Sequence, residues 1–228
     1  DSDAEQQTLL FRIPLNAEFQ IDTCSGQLLV KKTNVLDFEV RETYEFIVTV
    51  TDDGLDPPQL QDTCKVTINV TDVNEPPTFP TSITRTIEEN KLGNVGAPVE
   101  AGDPDTKTPQ ILSYNITSGN DLGYFHVKDE VSGSGKYQGQ LFVKSGTVPN
   151  FEAQSSFTLG FSAVDNGVPP QTTTTLITVV ITDVNEAPVI ASPPSLSVAE
   201  ESTVGTPVGS PLQGNDEDND DVGTPQQT

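Results

Sequence analysis

The segment TDVNEPPTF at 71–79 returns as TDVNEAPVI at 182–190, 111 positions later. LDFE at 36–39 returns as PNFE at 149–152, TVTDDGLDPP at 49–58 as SAVDNGVPP at 162–170, and the pair Asp103 and Asp105 as Asp216 and Asp218, each 113 positions later. Four motifs in one order at nearly one spacing define a repeated domain of about 110 residues. Their phase divides the chain into a repeat already under way (1–77), a complete repeat (78–188) and the start of a third (189–228). The expectation is a segment of a longer array, with a further repeat before residue 1.

Within the complete repeat, SITRTI, ILSYNI, YFHV, QLFV, FTLGFSAV and TLITVVIT alternate in polarity and are separated by Gly, Pro, Asn or Asp. Short alternating runs at this spacing, with no sustained 3.6-residue period, predict an all-β sandwich. Phe157, Leu159, Phe161 and Ala163 are the expected core face of their run. GSGKYQG at 133–139 has no Walker Lys-Ser/Thr and no following helix, so it reads as a hairpin turn. His126, between Phe125 and Val127, should point outward, and a single histidine with no nucleophile beside it gives a catalytic triad no support. Paired acids could suggest glycoside hydrolysis, but every pair recurs with the repeat, which catalytic sites seldom do.

Asp and Glu number 34 against 11 Lys and Arg, a formal charge of −23 that repels nucleic acid and anionic lipid. No run approaches the roughly 18 apolar residues of a membrane span, and DSDAEQQ is not a signal peptide. Any leader or anchor is expected outside this segment. Cys24 and Cys64 are a disulfide candidate, with two small buried residues as the other reading; a bridge would contribute up to about 4 kcal/mol by loop closure. Asn69 in NVT and Asn115 in NIT are N-glycosylation candidates on the polar sides of alternating runs. Both features suit a secreted chain.

Core packing does not explain where the acids fall. Asp37, Glu39, Asp52, Glu75, Asp103, Asp105 and Asp165 lie at ends of expected strands or in the link between repeats. In a sandwich those positions gather at the poles, so acids of one repeat would meet acids of the next. Carboxylate and carbonyl oxygens without His or Cys suit a hard divalent cation, and Ca²⁺ tolerates the irregular geometry of strand ends. DEDNDDVG at 216–223 is no EF-hand loop, since Asp221 and Gln227 stand where Gly and Glu are required.

These motifs together resemble tandem extracellular cadherin repeats. The match rests on Glu89 in IEEN and Glu200 in VAEES, Asp37 and Glu39 in LDFE, the linkers DVNEPP and DVNEAP, Asp103 and Asp105 in GDPDT, Asp216 and Asp218 in NDEDND, and Asp165 in AVDNG. The resemblance implies seven-stranded Greek-key, immunoglobulin-like sandwiches joined by linkers that bind three Ca²⁺ ions. At the first junction it implies Asp37, Glu39, the Val73 carbonyl, Asn74, Glu75, Asp103, Asp105 and Asp165 as ligands. Their six carboxylates match the charge of three ions. Asp1, Asp3 and Asp52 would belong to an earlier junction, and Glu200 to a later one. At the second junction the ligands would be Glu89, Glu152, the Val184 carbonyl, Asn185, Glu186, Asp216 and Asp218. There Asn150 replaces the Asp of the D-x-E motif, which predicts weaker binding or fewer ions. Both linkers are one residue shorter than the family's D-x-N-D-N-x-P form, leaving the third ion short of a carbonyl. Asp72 and Asp183, which open the linkers, read as turn caps rather than ligands.

The resemblance further implies a non-enzymatic, calcium-rigidified ectodomain segment of a plasma-membrane adhesion protein. Its partners would be other cadherin ectodomains, by homophilic or related heterophilic contact, with any membrane attachment outside this segment. Strand-exchange adhesion in the family needs a Trp and the chain has none, so an interior spacer is expected rather than the recognition tip. The alternative from another class is a non-catalytic spacer or carbohydrate-binding module of a secreted enzyme or microbial surface protein.

Overall fold

The sequence repeat reappears as a repeat of strands in the computed structural model, which describes residues 8–54, 59–146, 148–190 and 195–218. The elements in chain order are β1 Leu10–Arg12, β2 Phe19–Ile21, β3 Leu28–Val30, β4 Thr43–Thr51, β5 Gln61–Asn69, β6 Ile83–Glu88, β7 Gly93–Asn94, β8 Ser113–Ser118, β9 Phe125–Val131, β10 Tyr137–Val143, β11 Ser156–Val164, β12 Thr172–Thr182, β13 Val189–Ile190 and β14 Gly214–Asn215. Among the described residues there is no helix. Strand β4 maps onto β11 at an offset of 113, and β5 starts 111 positions before β12, the spacings the motifs gave.

By contacts the chain forms two units. The first comprises 1–75 with 103–110 and 167–169; the second comprises 76–102, 111–166 and 170–228. In the second unit a four-stranded sheet, β6-β12-β11-β8, faces a three-stranded sheet, β7-β10-β9. The β6·β12 pairing is parallel and the others antiparallel. Alternation along β11 puts Phe157, Leu159, Phe161 and Ala163 in the core, where they pack with Tyr114, Phe125, Leu141, Ile177 and Val179, and Gly160 and Ser162 on the opposite face are buried as well. Gly139 is obligatory in β10, since a Cβ there would lie 2.8 Å from the Tyr114 ring and 2.9 Å from that of Phe161. The hairpin expected at 133–139 joins β9 to β10, turning through Gly135 at φ 82°. His126 is half-buried on β9, its ring 5.6 Å from that of Phe142.

The first unit holds a three-stranded sheet, β1-β4-β5, and the β2-β3 hairpin. Its core is smaller: Phe19, Tyr44 and Val48 are buried, with the Phe19 ring 5.1 Å from that of Tyr44 in an edge contact. The disulfide candidate is corrected here. Cys24 and Cys64 are free, exposed thiols. Cys24 lies in the turn that Asp22 caps through the Cys24 and Ser25 N–H groups, while Cys64 lies in β5 opposite Val48, in a different sheet. Asn69 and Asn115 are both exposed. Asp1 and Asp3 lie outside the described residues.

Candidate metal centres

The first cluster forms inside the first unit, where the linker meets the 36–42 turn and the 103–110 loop. Asp37 starts that turn, accepting the Val40 N–H at 2.9 Å on Oδ1 while its carbonyl accepts the Arg41 N–H. The turn presents Glu39. The linker adds Asp72, and the loop adds Asp105, which is only 1% exposed. Each of these three acids offers an oxygen within 4.8 Å of the others'. Asp105 is held by its backbone N–H donating to Asp103 Oδ1 at 3.0 Å, and its Oδ2 accepts from the Glu75 N–H at 3.2 Å and Gln110 Nε2 at 2.7 Å. Gln110 Nε2 also donates to Asn74 Oδ1 at 2.5 Å, and Asn74 Nδ2 donates to the Pro169 carbonyl at 2.9 Å. The 167–169 loop fits Asn74 so closely that a Cβ on Gly167 would sit 1.7 Å from Asn74 Oδ1. Burial raises the carboxyl of Glu75 above its ordinary range, and Glu39, Asp105, Asp37 and Asp72 add to the rise.

The second cluster, inside the second unit, repeats this geometry. Glu186 N–H donates to Asp218 Oδ2 at 2.7 Å, as Glu75 does to Asp105. Asp218 N–H donates to Asp216 Oδ1 at 3.3 Å, as Asp105 does to Asp103. Asn150 occupies the place of Asp37, accepting the Ala153 N–H at 2.7 Å. Glu89, 1% exposed, accepts the Val184 N–H on Oε1 and the Phe151 N–H on Oε2, both at 2.8 Å. It thereby pins the linker to the 149–154 turn. Two acid groups result, Glu89–Glu152–Asp183 and Glu152–Glu186–Asp218, sharing Glu152. A hydrogen bond from its own backbone lowers the Glu152 carboxyl, but burial and the charges of Glu89 and Asp183 outweigh it, and the net direction is upward. Glu186 is pushed up to about 7 by loss of surrounding water, the charge of Glu89 and its contact with Asp218.

The other expected residues are placed differently. Asp165 is 4% exposed in the second unit and accepts the Gln171 N–H at 3.0 Å, the turn that Asp52 makes with the Leu60 N–H. Val73 is 72% and Val184 38% exposed as residues. Asn185 Nδ2 donates to the Glu186 carbonyl at 3.2 Å. Glu200 is exposed and belongs to none of the close acid groups among the described residues. Asp72 and Asp183 are in those groups, where turn capping was expected. Gln110 carried no signal in the sequence.

The donor sets fit a hard cation on one observation. In the first cluster Glu39 Oε1, Glu75 Oε2 and Asp105 Oδ1 are buried without a hydrogen-bond partner among the described residues. In the second, Glu152 Oε2, Glu186 Oε2 and Asp218 Oδ1 are in the same state. These are equivalent residues, 113, 111 and 113 positions apart. A buried, unpaired carboxylate oxygen is costly, and the same three recur in both places.

The Cadherin domain family model matches residues 1–71 and 83–182. The chain belongs to the cadherin family. It is 31% identical over 197 residues to Protocadherin Fat 4 of Mus musculus, covering 84% of this chain and 4% of that protein. Among solved structures, the Protocadherin GammaB4 extracellular domain matches at TM-score 0.57 and 26% identity, covering 92% of this chain and 34% of that one. Human CDH23 EC21-23 matches in fold at TM-score 0.59 and 24% identity, covering 92% and 74%. This cadherin segment therefore spans a small fraction of the curated relatives' length. Among the described residues no helix is long and apolar enough to cross a membrane.

Proposed function

We propose that this segment is a calcium-stiffened stretch of a cell-adhesion ectodomain, with successive repeats 1–77, 78–188 and 189–228. The observation that carries the reading is the duplicate set of buried, unpaired carboxylate oxygens on Glu39, Glu75 and Asp105 and on Glu152, Glu186 and Asp218. At the first cluster Asp37, Glu39, Asp72, Glu75, Asp103 and Asp105 would hold Ca²⁺, with Asn74 as a further oxygen donor. At the second, Glu89, Glu152, Asp183, Glu186, Asp216 and Asp218 would do so. Bound Ca²⁺ supplies positive charge and a demand for about six to eight oxygens.

The chain's own residues do the rest. Glu89 and Asp105 fix the linkers through backbone N–H groups. The remaining acids converge and repel until neutralised, which favours a loose linker. Neutralised, they favour the ordered arrangement by mass action. Affinities of about 10⁻⁴ to 10⁻³ M, usual for extracellular modules, would keep such sites filled outside a cell and empty in a cytosol. Adhesion would follow from contact with other cadherin ectodomains of the same or a related protein, at the surface of a plasma membrane.

The test is small-angle scattering and thermal melting at about 5 mM Ca²⁺ and in excess chelator, concentrations that bracket such affinities. Calcium should lengthen the particle and raise the melting temperature, and Asp103→Ala with Asp105→Ala should abolish both effects at the first cluster. Identical curves in calcium and chelator would sink the reading.

A further inference from the structure

Beside the first cluster lies a positive charge that the acid pattern does not call for. Lys107 belongs to the loop that carries Asp103 and Asp105, two residues past Asp105. Its Nζ donates to the carbonyl of Phe38, 69 residues away, at 2.6 Å, and pairs with Glu42 Oε1 at 2.7 Å. It also stands 4.9 Å from the centroid of the Phe38 ring. Phe38 is the middle residue of the Asp37–Phe38–Glu39 motif. The side chain is 33% exposed, against 60% for Lys65, 69% for Lys128 and 70% for Lys136 in their own ion pairs. Lys91, two residues past Glu89, pairs with Glu88, three residues away, and joins no distant segments among the described residues. At the position equivalent to Lys107, 113 residues on, the sequence has Asp220.

We propose that Lys107 is a positioning residue: a built-in cation that ties the Asp103–Gln110 loop to the 37–42 turn before any metal ion arrives, and so preorganises the first cluster. The inference rests on the calcium reading for its consequence, but not for the tether itself. A charge-assisted hydrogen bond to a carbonyl, an ion pair and a ring contact from one ammonium act on the same two segments whose acids must converge. Preorganisation raises affinity because less ordering remains to be done on binding. Among the described residues no lysine makes such a tether at the second cluster, and the equivalent sequence position holds an acid, Asp220, instead of a cation.

Simple electrostatics predicts the opposite sign. Removing a positive charge close to an acidic cation site should tighten Ca²⁺ binding, whereas removing a tether should weaken it. Three versions of the full chain, wild type, Lys107→Met and Lys107→Arg, distinguish the two. The first readout is exchange of the Glu75 amide in chelator, because that N–H donates to Asp105 Oδ2 only while the loop is docked. Lys107→Met should speed exchange about fivefold and Lys107→Arg should restore most of the protection, an effect of the size expected for a partly exposed ion pair with an added hydrogen bond. The second readout is Ca²⁺ titration, in which Lys107→Met should bind several-fold more weakly. A Glu42→Gln cycle should show that the two substitutions are not additive. Unchanged Glu75 exchange, or tighter Ca²⁺ binding by Lys107→Met, would overturn the proposal. A wild type that binds no Ca²⁺ but exchanges as expected would sink the calcium reading and leave the tether standing.

Discussion

Glu39→Gln is the sharpest perturbation of the first cluster, because it removes a charge while keeping shape. The Glu39 oxygen that is buried has no hydrogen-bond partner among the described residues, so the amide forfeits no bond at that atom. Asp72 and Asp105 each place an oxygen within 4.8 Å of a Glu39 oxygen. At that separation each like-charge pair costs about 0.9 kcal/mol in a water-like dielectric and about 3.5 kcal/mol at an effective dielectric of 20. Two such pairs give about 2 to 7 kcal/mol before relaxation. Side-chain movement and proton uptake by Glu75, whose carboxyl is already raised, reduce this to a net relief of about 1 to 2 kcal/mol. In chelator the first unit of Glu39→Gln should therefore melt several degrees above wild type, at about 4 to 8 °C per kcal/mol for a domain of this size. In saturating calcium the order should invert, since a charged ligand has been lost. Thermal melting of both proteins in both buffers checks it. If Glu39→Gln melts below wild type in chelator, the acids are not in repulsive contact and the argument fails.

Three further outcomes follow from the same geometry. In chelator, Glu75 and Glu186 have raised carboxyls, so the stability they contribute is complete below the ordinary value of 4.5 and is lost as pH rises, for Glu186 through about 7. Melting temperature in chelator should fall from pH 5 to pH 8, and in calcium it should rise over that window because binding requires ionised ligands; parallel trends in the two buffers would count against the clusters as cation sites. Gly167→Ala forces a Cβ to within 1.7 Å of Asn74 Oδ1, so Asn74 must move; loss of about 1 to 3 kcal/mol and faster amide exchange in 72–75 are expected, and unaltered exchange would refute the close fit. Cys24 and Cys64 should both react with a thiol reagent in the native protein at the rate of open thiols, as two free, exposed side chains require; slow reaction limited by unfolding would contradict the exposure.

How far the sequence could be read depended on whether a feature repeats. The alternation in FTLGFSAV identified the buried face of β11 because a strand has a period of two and the four residues at that period are apolar. The offset of 113 carried over from LDFE and PNFE to β4 and β11 because each motif ends just ahead of the strand that follows it. Asp72 and Asp183 read as caps in the sequence, and the fold places each in a close acid group as well: a linker acid has no periodicity to reveal where its side chain points, and only the fold brings Asp72 to Asp105. Gln110 and Lys107 left no signal because their partners, Asn74 and Phe38, are 36 and 69 residues distant and neither residue type recurs 113 positions on, where the sequence has Gly223 and Asp220. The cysteines failed for a related reason. Flanking turn residues say nothing about whether two positions share a sheet, and these two do not.

The difference between the clusters at Asp37 and Asn150 separates two jobs that the D-x-E motif combines. Asn150 Oδ1 accepts the Ala153 N–H at 2.7 Å just as Asp37 Oδ1 accepts the Val40 N–H at 2.9 Å. A neutral side chain therefore suffices for the turn, and the turn alone does not account for the charge at Asp37. What Asn150 adds is a donor: its Nδ2 reaches Glu217, beside the close acid groups, at 2.8 Å, and within those groups Asn90 Nδ2 reaches Glu186 at 2.6 Å. The second cluster thus meets part of its negative charge with the chain's own N–H groups, though not all, since Glu186 is still held up to about 7. The first cluster meets its charge with Gln110 and with the ammonium of Lys107 at its border. Amide donors satisfy lone pairs without neutralising them, so the substitution that removes a ligand from the second cluster also lowers the cost of leaving that cluster without a cation. On that logic Asn150→Asp should raise Ca²⁺ affinity at the second cluster and, in chelator, loosen it. A substitution that moved both quantities in the same direction would mean that the amide is serving the turn alone.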